Sequence, residues 1–238
     1  IVLSDMRIGL EYVGVELSDG TIGVSYLFKE EAGCCSSGDR RNTVFLGRPA
    51  AELLGWSLHM KNSLLSSICI AVLNALSDPR TVTGSTEKGA LDEIGFEKTD
   101  VVGMIGNFRP MVPGIVERVR ELKIFERKPA EGNPLIYPDW AAYSLLPGCD
   151  IVIISGTTNI NKTLDILISC CTSAREVAVI GPSTIMYPPA YAGTAATILA
   201  GSYAEPARKA EIFSVISQGG GGHRLLKYLT KYTVKLKE

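Results

Sequence analysis

The sequence predicts an α/β protein of 238 residues whose second half is a Rossmann-like parallel β-sheet covered by helices. After Thr99, short apolar runs alternate with helical stretches, which is the pattern of βαβ units. These runs are apolar throughout, as at 151–154, and such strands belong in a sheet buried on both faces. A hydrophobic content of 46% with 21% charged residues is enough to bury a core of this kind.

The chain begins with β structure. Residues 12–17 and 21–28 are rich in Val, Ile, Tyr and Leu. The intervening Ser18-Asp19-Gly20 favours a turn, so we predict a β-hairpin.

Helices follow the hairpin. Pro49 suits the first turn of a helix that continues through 50–54. Asn62 and Ser63 are good N-cap residues, and apolar side chains then recur at i, i+3 and i+4 as far as Leu76. We therefore predict an N-terminal α+β unit with a long amphipathic helix.

A change in composition predicts the domain boundary. Residues 81–97 lose the helical period and contain several glycines, which is typical of a long connection. We place one domain at 1–98 and a second at 99–238. In the second domain we expect strands near 101–105, 123–125, 151–154 and 177–180, and helices near 112–122 and 164–170.

Charge and hydropathy favour a small molecule as the partner. The formal net charge is -1 with both signs interspersed, so the basic surface that nucleic acids require is not expected. Apolar runs are shorter than the ~20 residues of a membrane span. The first residues lack the features of a secretory signal, so we expect a cytoplasmic protein that binds neither nucleic acid nor membrane.

The cysteines do not predict a zinc site. Six are present, and neither vicinal pair, Cys34-Cys35 or Cys170-Cys171, has CxxC spacing beside a histidine. Cys69 and Cys149 lie in apolar surroundings where a thiol behaves as a small buried hydrophobe. The Gly/Ser-rich segment around Cys34-Cys35 could place thiols on a soft metal, although an ordinary loop is the simpler interpretation.

The segment after the first strand of the parallel sheet is a candidate ligand site. Open parallel sheets bind ligands beyond the carboxyl ends of their strands. Gly106-Asn107-Phe108 follow this strand, and the spacing Gly103-x-x-Gly106 falls short of a dinucleotide fingerprint. Gly106 would allow close approach of a ligand, and a plain tight turn explains it equally well.

Glu126 is the best single candidate for ligand contact. It follows the second strand, roughly 20 residues after Gly106, where Rossmann proteins place the acidic residue that binds ribose hydroxyls. The alternative is a solvated Glu beside Arg127 and Lys128.

Two polar loops complete the expected rim. Both follow predicted strands. Free amides at the start of the helix after the first loop could hold an anion. An ordinary N-cap by Asn159 or Asn161 is the alternative, and such a cap is compatible with ligand contact. The candidate ligand residues of these loops are Thr157, Thr158 and Asn161 in the first, and Gly181, Pro182, Ser183 and Thr184 in the second.

Together these segments resemble a known family. Their order and spacing are similar to those of the family named "putative heavy-metal chelation". The segments that carry this resemblance are Met104–Phe108, Glu126, Gly156–Thr163 and Gly181–Thr184, with Val72–Leu76 in the first domain. The resemblance implies an enolase N-terminal-like α+β domain packed on a Rossmann-like domain that is partly similar to methyltransferases, with a cleft between them. It also implies a proposed role in condensing or hydrolysing pterin-, flavin- or siderophore-like molecules linked to metal handling.

Several hypotheses therefore stay open. The chain is an enzyme acting on such a small molecule, a noncatalytic small-molecule or metal-binding protein, or, with less support, a methyltransferase. Catalytic residues, cofactor and metal ligands are not identified by the sequence, and a homodimer is one arrangement that it allows. Gly219–Gly222 before His223 forms either a mobile loop or a ligand-wrapping segment.

Overall fold

A computed structural model describes residues 1–32, 45–56, 62–128 and 132–236, which form a ten-stranded mixed sheet with helices packed on it. The strands are β1 Leu3–Ile8, β2 Tyr12–Leu17, β3 Ile22–Tyr26, β4 Val101–Ile105, β5 Glu121–Glu126, β6 Ile136–Pro138, β7 Ile151–Ser155, β8 Glu176–Ile180, β9 Ile198–Ala204 and β10 Leu229–Lys235. The helices are α1 Ala50–Trp56, α2 Ser63–Leu76, α3 Ala90–Glu93, α4 Val112–Val116, α5 Ala142–Leu145, α6 Thr158–Asn161, α7 Leu164–Ser169, α8 Lys209–Ser217 and α9 Gly222–Leu225.

The N-terminal part is an antiparallel meander of β1, β2 and β3 with α2 packed on it. The predicted hairpin and both predicted helices are confirmed. Asn62 caps α2, since its side-chain oxygen accepts a hydrogen bond from the Leu65 amide at 2.9 Å. Close packing of α2 on the sheet requires Gly23, where a Cβ would lie 1.9 Å from the Ala71 carbonyl oxygen.

The C-terminal part is a parallel sheet in the order β6-β5-β4-β7-β8-β9, with β10 antiparallel to β9. This is the doubly wound Rossmann order, so the predicted α/β fold class is confirmed. The chain adds strands outward from β4 in one direction and from β7 in the other. The order therefore reverses between β4 and β7, and a crevice is expected at their carboxyl ends.

Several elements differ from the prediction. The helix expected at 112–122 ends at Val116, because the chain enters β5 at Glu121 and the amides of Arg120 and Glu121 bond to the Asp100 carbonyl. Strands β1, β6, β9 and β10 were not predicted. β6 has only three residues, β9 contains small residues around Gly201, and β10 carries lysines at the edge of the sheet.

The glycine run at 219–222 packs against the turn between β1 and β2. A Cβ at Gly221 would lie 2.6 Å from a Glu11 carboxylate oxygen, and one at Gly222 would lie 3.0 Å from the Tyr12 hydroxyl. These glycines let the start of α9 approach the hairpin closely. The structure thus favours a packing role over either flexible alternative.

The connection between the two parts is hydrogen-bonded to the sheet. Thr86 pairs with Thr233 of β10 through two backbone hydrogen bonds of 2.8 Å. The domain boundary at residue 98 stays a prediction.

The two parts of the sheet meet at one residue pair, Ile22 with Ala204. Further along β3, the Val24 carbonyl accepts a hydrogen bond from the Asn74 side chain at 2.9 Å, and the Tyr26 amide donates to the Ser183 hydroxyl at 2.8 Å. The same Asn74 amide group also donates to the Pro182 carbonyl at 2.9 Å. Side chains thus replace a neighbouring strand along this edge.

At the opposite end of the parallel sheet, Asp100 connects the starts of three strands. Its carboxylate accepts two hydrogen bonds of 2.7 Å from Arg175 and one of 2.6 Å from the Glu97 amide. The Asp100 side chain is 3% exposed. The hydrogen bonds from Arg175 lower the pKa of this carboxyl below its ordinary value.

We expect Asp100→Asn to lower the free energy of unfolding by about 3 kcal/mol at pH 7, because charge-assisted hydrogen bonds are lost. A carboxyl whose pKa is lowered by folding stabilises the protein above its ordinary pKa of 3.8, and this contribution disappears as the pH falls through the lower folded value. Urea unfolding from pH 7 to pH 3 should therefore show the difference from the parent shrinking in acid. Asp92→Asn, at an exposed position, is the control. A pH-independent difference would contradict this prediction.

We also expect Asn74→Ala to lower the free energy of unfolding by about 3 kcal/mol, since the Val24 and Pro182 carbonyls would lose their bonds to the Asn74 side chain. The exposed Asn133→Ala variant, which loses only a local turn contact with Leu135, is the comparison. Equal urea midpoints for the two variants would show that the Asn74 contacts are dispensable.

Candidate functional site

A cleft of about 220 Å³ lies at the carboxyl ends of β4, β5 and β7, at the point where the strand order reverses. Phe28, which follows β3, lines it from the N-terminal part. The cleft therefore lies between the two parts of the chain. Five of the sequence-predicted site residues line it: Gly106, Glu126, Thr157, Thr158 and Asn161.

The Gly106 turn and Glu126 form one hydrogen-bonded unit. Gly106 has φ +86°, which favours glycine, and a Cβ there would lie 3.2 Å from the Ser155 Cβ. Each carboxylate oxygen of Glu126 accepts one backbone N–H, from Asn107 at 3.0 Å and from Arg127 at 3.1 Å. The negative charge is thus fixed in orientation beside the opening of the cleft.

The loop after β7 supplies hydroxyl groups. The Ser155 and Thr157 hydroxyls are 2.8 Å apart, and the Thr158 hydroxyl donates to the Ser155 carbonyl at 2.7 Å. The Asn161 side-chain oxygen accepts from the Thr163 hydroxyl at 2.8 Å. These bonds fix the loop while leaving further donors and acceptors for a ligand.

Two exposed aromatic side chains form one wall of the cleft. Trp140 is 70% exposed and Tyr143 is 43% exposed. They stand three residues apart on the helical turns that follow β6, and therefore on the same face. Large exposed aromatic surface beside a cleft is typical of a binding site.

Arg127 connects the two sides of the cleft. Its guanidinium pairs with Glu31 of the N-terminal part and, at 3.7 Å, with Asp139, and it lies 5.2 Å from the centre of the Phe28 ring. Lys128 pairs with Glu30 in parallel. Because these pairs are exposed, they contribute little to stability; they connect the segment after Phe28 with the end of β5.

Negative charge is concentrated at the Glu126 end. Burial raises the pKa of Tyr26, and the nearby carboxylates of Glu11, Glu126 and Glu30 raise it further. In the loop after β7, Lys162 adopts φ +61°, and burial lowers the pKa of its amine.

The remaining predicted residues lie outside the lining of the cleft. Asn107 contributes its amide to Glu126, and Phe108 packs on the core beneath the sheet. Ser183 and Thr184 are each 1% exposed, and the Gly181–Thr184 turn holds the N-terminal part through Ser183 and the Pro182 carbonyl. Ligand contact by these residues stays a prediction, and their burial favours a structural role.

Sequence reasoning missed Phe28, Asp139, Trp140 and Tyr143, and treated Arg127 only as a neighbour of Glu126. The missed signal is Asp139-Trp140 directly after β6, a strand too short to show a period. Had that strand been identified, Trp140 would have been selected by the strand-end rule, which is that open parallel sheets bind ligands beyond the carboxyl ends of their strands.

Two wider grooves lie on either side of α8, with volumes of about 590 and 600 Å³. Both are shallow surfaces lined largely by α8 and the segments beside it, far from the strand ends. The chemistry described above is concentrated in the smaller cleft.

The described part of the chain contains buried thiols but no cluster of side chains suited to a metal. Cys69 and Cys149 are buried there, as predicted, and burial raises the pKa of Cys149 to about 11. Residues 1–32, 45–56, 62–128 and 132–236 contain no group of three His, Cys, Asp or Glu side chains that could hold a metal. Cys34, Cys35 and His59 lie outside these ranges.

Within the same ranges, helices long and apolar enough to cross a membrane are absent. The cytoplasmic location, the exclusion of nucleic acid and the homodimer stay predictions.

Known proteins share this fold. A crystal structure of a protein of unknown function from Pyrococcus horikoshii, of the DUF364 family, matches with a TM-score of 0.82 at 22% identity, over 98% of this chain and 92% of that one. A second, of unknown function from Desulfitobacterium hafniense, matches with a TM-score of 0.81 at 22% identity, over 98% and 91%. An uncharacterized protein of Methanocaldococcus jannaschii is 29% identical over 134 residues, 55% of this chain and 51% of that protein, so the chain spans about half the length of this relative.

Two family profiles match, and both carry the description "putative heavy-metal chelation". One covers residues 1–77 and the other covers residues 89–235. The second match alone spans more than half of the chain. The protein therefore belongs to the putative heavy-metal chelation family.

Proposed function

We propose that the protein binds a planar small molecule in the cleft at the carboxyl ends of β4, β5 and β7. The observation that carries this proposal is the exposed pair Trp140 and Tyr143 on the wall of a preformed crevice. Aromatic faces of this kind stabilise planar rings by stacking. Phe28 adds a further apolar surface from the N-terminal part.

The polar groups of the cleft would then orient the ligand. Glu126 presents a carboxylate with a fixed position, and Thr157, Thr158 and Asn161 present hydroxyl and amide groups. A few placed polar groups in an otherwise apolar cleft are the usual basis of ligand orientation.

The family description, "putative heavy-metal chelation", names no ligand, and it motivates the choice of a ligand connected with metal handling. We propose a pterin-, flavin- or siderophore-like compound that the protein condenses or hydrolyses. Such molecules combine a planar ring or catechol-like group with polar substituents, and the wall and rim of the cleft offer matching surfaces.

A noncatalytic role is the alternative. The family description favours direct or indirect handling of a metal, and the vicinal thiols Cys34 and Cys35 are soft ligands of the type that binds heavy metals. In this case the protein would carry a small molecule or a metal without transforming it.

We expect Trp140→Ala to weaken binding of a planar ligand by about 10-fold or more, since base-aromatic stacking contributes about 1–3 kcal/mol. Neopterin, riboflavin and the ribonucleosides are suitable probes in a thermal-shift screen followed by calorimetry. Tyr187→Ala removes another exposed aromatic residue away from the cleft lining and should leave affinity unchanged. Unchanged midpoints for the parent across the whole panel, or equal affinity in the Trp140 variant, would refute the proposal.

The alternative predicts metal uptake that depends on the vicinal thiols. After incubation with Cd²⁺ or Cu⁺ and desalting, the parent should retain metal, and the Cys34→Ser, Cys35→Ser double variant should lose it. A variant in which Cys170 alone is changed to Ser is the control. Equal metal content in the parent and the double variant would exclude Cys34 and Cys35 as ligands.

A further inference from the structure

We infer that the ligand of this cleft is an uncharged purine ribonucleoside, or a molecule built on one, whose vicinal diol is bound by Glu126. This inference rests on the planar-ligand part of the proposed function, and it assigns that ligand to the purine ribonucleosides rather than to the pterin-, flavin- or siderophore-like compounds. Three features support it: the order of chemical groups along the sheet edge, the unused hydrogen-bond acceptor positions of the Glu126 carboxylate, and the charge of the cleft.

The order of groups is fixed by the strand order. From β7 through β4 and β5 to β6, the strand ends present the Thr157 hydroxyl, the Gly106 turn, the Glu126 carboxylate and the Trp140 ring. Adjacent strands lie about 4.8 Å apart, so this edge spans roughly 14 Å. A molecule lying along it would meet a hydroxyl-rich loop first, a carboxylate second and an aromatic face last.

A nucleoside carries its groups in the matching order. The 5′ end would lie at the Gly106 turn, which follows β4 and lines the cleft. The ribose hydroxyls would lie at Glu126 and the base on Trp140 and Tyr143. Two aromatic residues offer more stacking surface than one, which favours a purine over a pyrimidine.

The Glu126 carboxylate can accept hydrogen bonds from two hydroxyl groups at once. A carboxylate has about four acceptor positions, and here each oxygen uses one for a backbone amide, from Asn107 or from Arg127. One position on each oxygen remains. Two adjacent hydroxyl donors on a ribose match that arrangement, whereas a single hydroxyl would use only one of the oxygens.

The charge of the cleft argues against a phosphorylated ligand. Among the described residues that line it, Arg127 is the one cation, and Glu31 and Asp139 already pair with it. Glu126 and Asp139 would repel a phosphate, and the turn at Gly106 lacks the glycine spacing of a diphosphate loop. We therefore expect a nucleoside to bind more tightly than its 5′-monophosphate.

Calorimetry with adenosine, guanosine, their 2′-deoxy forms and their 5′-monophosphates tests the inference. The better purine ribonucleoside should bind at least 10-fold more tightly than its 2′-deoxy form and than its monophosphate. In Glu126→Gln, the ratio between ribose and deoxyribose forms should fall to within about twofold. Glu121→Gln, at the opposite end of β5, is the matched control and should retain the full ratio.

The outcomes separate this inference from the proposed function. If neopterin or riboflavin binds in a Trp140-dependent manner but ribose and deoxyribose forms bind equally, diol recognition is wrong and the planar-ligand proposal stands. If none of these compounds binds, both are wrong. Should Glu126→Gln fail to fold, the comparison of ribose with deoxyribose in the parent protein still decides the question.

Discussion

The structure depends on how the backbone groups of β3 that face away from β2 find hydrogen-bond partners. β3 pairs with β9 at Ile22 alone, and beyond that residue its polar backbone groups would be buried without a strand beside them. The Asn74 side chain and the Ser183 hydroxyl take the place of that strand. Because buried backbone groups must be bonded, these two side chains determine where the meander can lie.

This arrangement is what produces the cleft. With β3 held against the turn after β8, the chain leaving β3 brings Phe28 over the carboxyl ends of β4 and β5. A second buried contact, from the Ser66 hydroxyl to the Ile160 carbonyl at 2.6 Å, holds α2 against the loop after β7. The ligand site is thus shaped by packing contacts that themselves need not touch a ligand.

Much of the fold could be predicted from the sequence, for physical reasons that are local. Strands β4, β7 and β8 are buried on both faces, and short, mostly apolar runs rich in Val and Ile identify such strands. Gly106, Glu126 and Thr157 were selected because they follow strands, and all three line one cleft, although ligand contact by them stays a prediction. β6, β9 and β10 carried weaker signals, because their residues are few, small or alternately charged.

The rest of the site depends on contacts between distant residues. The strand-end rule also selected Ser183, but it does not indicate which residues pack over a turn. The Tyr26 amide, which bonds to the Ser183 hydroxyl, lies 157 positions earlier in the chain. Trp140 lies on a helical turn whose exposure is decided by the packing of its neighbours. Neither fact is encoded in a local pattern.

The meeting of β3 with β9 also has a consequence for biosynthesis. The segments that form β1, β2, β3 and α2 emerge from the ribosome early, whereas Ser183 and Ala204 emerge only after most of the chain has been made. During that interval the nascent N-terminal unit carries an open strand edge, the feature through which growing polypeptides associate wrongly. The helix α2 emerges before Ser183 and Ala204, and its Asn74 bonds to the Val24 carbonyl at this edge without either of them. The residue that joins the two finished parts is thus also available to cover the edge during synthesis.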